Sequence, residues 1–198
     1  MLVPLSTPLC LLLALGGALG VWGKAPPSRP YNQILTAPSG APWGVWGPVE
    51  MCPEGTYANG FALKLQPHQE EDAPKEENKT ALNGVRLHCS DGTTVQSGVG
   101  ARGRWLRTRY CPRGYIRAFS LHVEHAGDRA AATDLRMACS DGEVLARAGD
   151  RAGASEGPWG DACISGSVCG LQSRVTEPLG PWGNDAALND IRFFCCPP

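Results

Sequence analysis

Runs of helical period are missing from this chain. Beyond residue 20 no convincing run of apolar residues at helical spacing is found, which argues against a helical core. Net charge is missing as well. The 18 Lys and Arg against 19 Asp and Glu leave a formal −1, so the total shows no nucleic-acid footprint of clustered cations and no nucleic-acid partner is expected. No apolar run past residue 20 approaches the length of about eighteen that spans a bilayer, so no membrane contact is expected once a leader is removed. Cys-x-x-Cys spacing and a phosphate-binding Gly loop are absent too. These absences remove the usual signs of a zinc site and a nucleotide pocket, and neither metal nor cofactor is expected. The histidines do not change this. His122 and His125, three apart on a strand, face opposite sides, and His68 and His88 have no visible partner.

What the chain has in quantity is turn formers and cysteine. Gly 25 and Pro 17 are about a fifth of its 198 residues, which favours a turn-rich all-β protein. The stretch 9–20 is an apolar segment too short for a bilayer that ends in small residues. It reads as the core of a signal peptide over 1–20, with cleavage between about residue 20 and residue 25. Residues 21–30, ending Pro26-Pro27-Ser28-Arg29-Pro30, form a Pro-rich linker, and 31–198 form one domain. Of nine cysteines, Cys10 leaves with the leader. The other eight (Cys52, Cys89, Cys111, Cys139, Cys163, Cys169, Cys195 and Cys196) have the even count of a disulfide framework in a secreted, extracellular protein.

A phrase recurs three times and organises the domain: Ala81-Leu82-Asn83-Gly84-Val85-Arg86-Leu87-His88-Cys89, then 131–139, then 187–195. Each ends in apolar, Arg, apolar, any residue, Cys. A spacing of roughly 50 to 56 residues argues for a few large similar units rather than a solenoid. Ahead of each phrase come a Trp and a Cys (Trp46 and Cys52, Trp105 and Cys111, Trp159 and Cys163), a Gly turn, and a strand of period two. Those strands are Phe61–Leu65, Phe119–Val123 and Leu171–Val175, whose alternate positions are apolar apart from Ser173. The strands that open the units are read as Tyr31–Thr36, Thr94–Ser97 and Val144–Arg147, giving units of about 31–92, 93–142 and 143–198. Each unit is expected to supply one antiparallel sheet with one apolar face, and the three faces to close on a common axis with pseudo-threefold symmetry.

The segments Thr56–Leu65, Thr80–Cys89, Ala118–Glu124, Cys139–Gly142, Cys169–Gln172 and Ala187–Cys196 together resemble the vitelline membrane outer layer protein 1 family over about 31–198. The resemblance implies a β-prism of three four-stranded Greek-key sheets, an architecture similar to that of some plant lectins. It also implies a secreted component of egg coats or epithelial fluids, with handling of N-acetylglucosamine oligomers associated with avian relatives. Extracellular glycans or glycoproteins are the partners it suggests. The loops before each phrase depart from the family's acidic pattern: Glu77-Asn78-Lys79-Thr80, Gly127-Asp128-Arg129-Ala130 and Gly183-Asn184-Asp185-Ala186 keep only Asp128 and Asp185 of its carboxylates.

Repeat equivalence pairs Cys52 with Cys89, Cys111 with Cys139 and Cys163 with Cys195, leaving Cys169 for Cys196. Strand parity puts Cys169 and Cys195 both inward and favours the crossed pairing Cys163–Cys196 and Cys169–Cys195, so both remain open. Glycoside chemistry needs two carboxylates about 5 Å or roughly 6.5–9.5 Å apart. Asp128 and Asp185 are the candidates, with Glu124, Asp134 and Asp190 nearby in sequence. Small polar loop residues more often bond their own backbone. Trp46, Trp105 and Trp159 recur once per unit and are expected in the core, whereas Trp43 and Trp182 stand outside that register and are the candidates for stacking on a sugar ring. Arg86, Arg136 and Arg192 should lie on the outward face, pairing locally and covering apolar surface. Asn78 heads a glycosylation acceptor, and 69–77 is a polar, mostly acidic insertion. The reading is a secreted extracellular-layer or fluid protein with weak carbohydrate contacts. The alternative is an enzyme that transfers or cleaves N-acetylglucosamine oligomers with Asp128 and Asp185.

Overall fold

The structure, a computed structural model, describes residues 29–66, 81–126, 129–146, 157–176 and 187–198. Thirteen strands and no helix occur among them. The first sheet joins both ends of the chain. It holds β1 (Gln33–Thr36), β13 (Leu188–Cys196) and β12 (Ser167–Val175), with the short β2 (Val45–Trp46) and β3 (Glu50–Met51) sharing the far edge along β12. The second repeats this order with β6 (Thr94–Gln96), β5 (Leu82–Cys89) and β4 (Ala58–Leu65), edged by β7 (Arg104–Trp105) and β8 (Arg109–Tyr110). The third holds β11 (Val144–Leu145), β10 (Arg129–Cys139) and β9 (Ile116–Ala126), with Trp159 bridged to Ser120 where the other sheets have an edge strand. With the two-piece edge counted once, the order is the Greek key that the resemblance implied.

Phe61, Leu63, Phe119, Leu121, Leu171, Val85, Leu87, Leu135, Met137, Ile191 and Phe193 are all buried and belong to one core. Period-two alternation puts them on the inner faces of the three sheets, and no sheet could cover that face alone. Phe119 of the third sheet meets Phe193 of the first edge to face at 4.8 Å between centroids, so the faces interlock across the axis. Ser173, the polar exception in the pattern, is fully buried and donates from Oγ to the carbonyl of Gly98 at 2.5 Å. The Ser-Asp-Gly turns behave as turn chemistry requires: Asp91 Oδ1 accepts from the Thr93 amide and Asp141 Oδ1 from the Glu143 amide.

The units read from the sequence do not coincide with the sheets. The strands taken to open the second and third units, now β6 and β11, complete the sheets that precede them, and β1 completes the last. The Trp-to-Cys segments shift likewise, because β2 and β3 pair with β12 rather than with β4. Each sheet is therefore finished by an edge that the chain lays down beside it before moving on. An apolar pattern identifies a strand but says nothing about which neighbour it pairs with.

Three cystines close these seams. Cys52 follows the first sheet's edge and bonds Cys89 of the second, Cys111 follows the second's edge and bonds Cys139 of the third, and Cys163 follows the third's edge and bonds Cys195 of the first. The amides beside them are equally regular. Cys52 N–H donates to Cys169 O, Cys111 N–H to Asn59 O and Cys163 N–H to Arg117 O, at 2.7, 2.8 and 2.8 Å. Asn59, Arg117 and Cys169 are each the extra residue of a β-bulge, where a carbonyl is turned out of the ladder and is free to accept.

The fourth cystine joins Cys169 to Cys196, so repeat equivalence holds and strand parity fails. The bulge at Cys169 explains the failure, since it breaks the alternation and turns the side chain into an outer cluster with Met51, Phe194 and Cys196. Cystine mapping of the oxidised protein is expected to return these four pairs and no alkylatable thiol. Replacing Cys111 and Cys139 together by Ser, which opens a loop of sequence separation 28, is expected to lower the unfolding free energy by about 3–4 kcal/mol in denaturant titration.

Candidate functional site

Trp46, Trp105 and Trp159 are not in the core. Their cross-strand partners Arg174, Lys64 and Ser120 occupy positions between the inward residues, and cross-strand neighbours share a face. The indoles therefore lie on the outer side, half-buried at Trp46 and Trp105 and exposed at Trp159. Outward arginines cover the first two. Arg192 stands 3.8 Å and Arg174 5.7 Å from the Trp46 ring centroid, and Arg86 stands 4.1 Å from that of Trp105. Such cation–π contacts contribute about 0.5–1 kcal/mol each at exposed sites. Arg86 also donates from Nε to Gln96 Oε1 at 2.9 Å, while Arg136 is buried and ion-paired with Asp134 at 3.1 Å. The local pairing expected of the three arginines is thus present, with a ring or carboxylate as partner.

On the first sheet this arrangement extends into a polar cluster. Arg174 on β12 lies opposite Asp190 on β13, and Gln172 lies opposite Arg192. Arg174 Nε donates to Gly44 O at 3.0 Å and Gln172 Nε2 to Gly47 O at 2.9 Å, which fixes the 44–47 segment against the sheet. Asp190 Oδ1 accepts the Ile191 amide at 2.8 Å. Burial raises its pKa, outweighing the opposing pull of that amide and of the Arg174 and Arg192 charges. The carboxylate rests against Gly40, where an added Cβ would fall 2.3 Å from Oδ1. In the same segment Trp43 is 52% exposed and Val45 62% exposed. An open indole thus directly precedes the residue that Arg174 holds to the sheet. It can offer an apolar platform and directed hydrogen bonds.

Of the residues singled out in the sequence for sugar contact, Trp43 is exposed in the segment just before Gly44. Trp182, Asp128, Asp185 and Asn78 lie outside the described residues. Asp134 does not face such a site, since it is buried with Arg136, and Asp190 occupies the position equivalent to Asp134 and Gly84 in the recurring phrase. His88 does have partners: its Nε2 lies 3.1 Å from Thr108 Oγ1 and its Nδ1 3.1 Å from Tyr110 Oη, and burial first and Arg86 second lower its pKa. Sequence reasoning missed that Arg174 and Gln172, with Asp190 opposite Arg174, hold the 44–47 segment that follows Trp43. Their outward parity was visible, but the pairing of β2 with β12, far apart in sequence, was not.

Fold and seams together define a disulfide-closed β-prism of three Greek-key sheets. The sequence profile of Vitelline membrane outer layer protein I matches residues 33–198, and the chain belongs to that family. It is 44% identical over 176 residues to the vitelline membrane outer layer protein 1 homolog of Homo sapiens and 40% identical to that of Mus musculus, each match covering 84% of both chains. Among solved structures it is similar to Calsepa lectin, solved in complex with a bisected glycan, with a TM-score of 0.51 at 12% identity over 84% of this chain and 98% of the lectin.

The raised pKa of Asp190 carries a sign. A carboxylate whose folded pKa stands above its unfolded value, ordinarily 3.8, makes folding less favourable as pH rises through that interval. Asp190→Asn is expected to equal or exceed the parent's stability at about pH 7, with the two converging below about pH 3. Urea unfolding at both pH values measures the difference, and an Asn variant clearly less stable at neutral pH would contradict the assignment.

Proposed function

We propose that the protein is a secreted, non-catalytic component of an extracellular layer or fluid, and that it contacts glycans at the outer face of its first sheet. The carrying observation is Trp43, a large indole 52% exposed that directly precedes Gly44, whose carbonyl accepts from Arg174 Nε on the outer face of the first sheet. An exposed aromatic face removes the apolar face of a sugar ring from water, and adjacent charged groups hydrogen-bond its hydroxyls. Four cystines support export, because such frameworks persist only in oxidising compartments. At the level of fold alone, Calsepa lectin with its bound glycan is compatible with the reading.

NMR titration with N-acetylglucosamine oligomers is expected to shift the Trp43 indole signal, and Trp43→Ala to weaken binding roughly tenfold, about 1.4 kcal/mol. Binding that survives the substitution unchanged removes this site. The same mixtures, followed by mass, test the enzymatic alternative. New oligomer lengths that vanish in Asp128→Asn or Asp185→Asn would establish it and displace the non-catalytic reading.

A further inference from the structure

The balanced total charge conceals a local imbalance. Residues 92–123 contain six arginines and no Asp or Glu. Arg117 has a structural place, its Nη2 donating to Cys163 O. The other five, Arg102, Arg104, Arg107, Arg109 and Arg113, are all exposed and lie along β7, β8 and the turns flanking them, at the edge of the second sheet beyond β4. Among the described residues, Arg104, Arg107, Arg109 and Arg113 have no ion-pair partner.

The first sheet supplies an internal control. Its β2–β3 edge pairs with β12 as the β7–β8 edge pairs with β4: Val45 opposite Val175 and Glu50 opposite Leu171, against Arg104 opposite Leu65 and Arg109 opposite Phe61. Gly44 and Gly103 have the same left-handed φ, 86° and 88°, and a Cβ on either would fall 2.6–2.7 Å from the carbonyl carbon of the strand beneath. The two backbones are thus the same device. Where the first edge has Trp43, Val45, Pro48, Glu50 and Glu54, the second has Arg at all five positions, 102, 104, 107, 109 and 113. The edge of the third sheet, 157–163, has no Arg. Building the prism therefore does not require arginine here, and one edge of three has been made cationic independently of the fold.

We propose that the β7–β8 edge binds a sulfated polysaccharide. Planar guanidinium forks suit oxyanions that accept two parallel hydrogen bonds, and several along one edge suit a polymer that repeats its charge. The aromatic residues of this edge separate the polymer classes. The Trp105 ring is covered by Arg86 at 4.1 Å, and Tyr110, in edge contact with His88 at 5.4 Å, is the one exposed ring, at 53%. Single-stranded nucleic acid would need a succession of open rings for base stacking, whereas a sulfated chain needs only cations. The cystines place the protein in the compartment where sulfated polysaccharides occur.

The test uses the secreted, oxidised protein on immobilised heparin, with fully desulfated heparin and double-stranded DNA as comparisons. The expected result is retention on heparin that added salt abolishes, no retention on the desulfated polymer, and weaker binding to DNA at the same salt. Changing Arg104, Arg107, Arg109 and Arg113 together to Ser is expected to raise Kd about tenfold or more with cystine mapping unchanged, while the corresponding Arg→Lys variant, which keeps the charge but not the fork, falls between the parent and the Ser variant. No retention of the parent, equal retention on the desulfated polymer, tighter binding to DNA, or a Ser variant that binds like the parent each overturns the proposal.

Discussion

Everything in this molecule depends on closing three one-faced sheets around a single core. Each sheet has one apolar face, and that face is dry only when the other two cover it. The chain solves the closure by letting every edge strand belong to one sheet in space and lead into the next in sequence. At each crossing a bulge carbonyl takes the amide of a cysteine whose sulfur holds the neighbouring sheet. The bulge, the amide and the cystine act together, because without the bulge the carbonyl would be used in its own ladder and the Cys segment would have nothing to bond.

The closure also joins the termini. β1 and β13 are neighbours in one sheet although nearly the whole domain separates them in sequence, and the Cys163–Cys195 cystine fixes the last seam. Contacts of this range form only after much of the chain is ordered, at a large cost in conformational entropy. Cystines reduce that cost by restricting the unfolded chain. The outer clusters of Arg on Trp have a lesser part, sealing sheet faces that look towards water.

With the backbone held this way, the edges are free to vary. Two pseudo-equivalent edges share strand pairing and a left-handed glycine, yet one presents Trp43 and Val45 and the other Arg102 and Arg104. A sheet edge needs its backbone partners and little from side chains that point into solvent, so these positions can be given to recognition without loss of fold. The Trp46 and Trp105 indoles are kept on both because an outward arginine packs on each.

Much of the architecture was legible in the residues. Alternation placed Phe61, Leu121, Ile191 and their neighbours on inner faces, the recurring phrase announced three sheets, and cysteine equivalence identified the Cys52–Cys89 and Cys111–Cys139 pairs while leaving the last four cysteines open. Parity misled at Cys169 because a bulge is a local exception that no period reveals. Recurrence misled at Trp46, Trp105 and Trp159, since a residue repeated once per unit can serve either face of a sheet. Averaged charge hid the arginine edge, although the run from Arg102 to Arg113 stood in plain view. By itself, then, the sequence determined the strands, their inward faces and the partners of Cys52 and Cys111, because these follow from periodicity and symmetry along the chain. Only the tertiary structure decided which strand finishes which sheet, how the last four cysteines pair, that Arg174 holds the segment after Trp43, and that five arginines line one edge. Those are relations between segments far apart in sequence or between equivalent edges, and pairing is settled when the three faces close together.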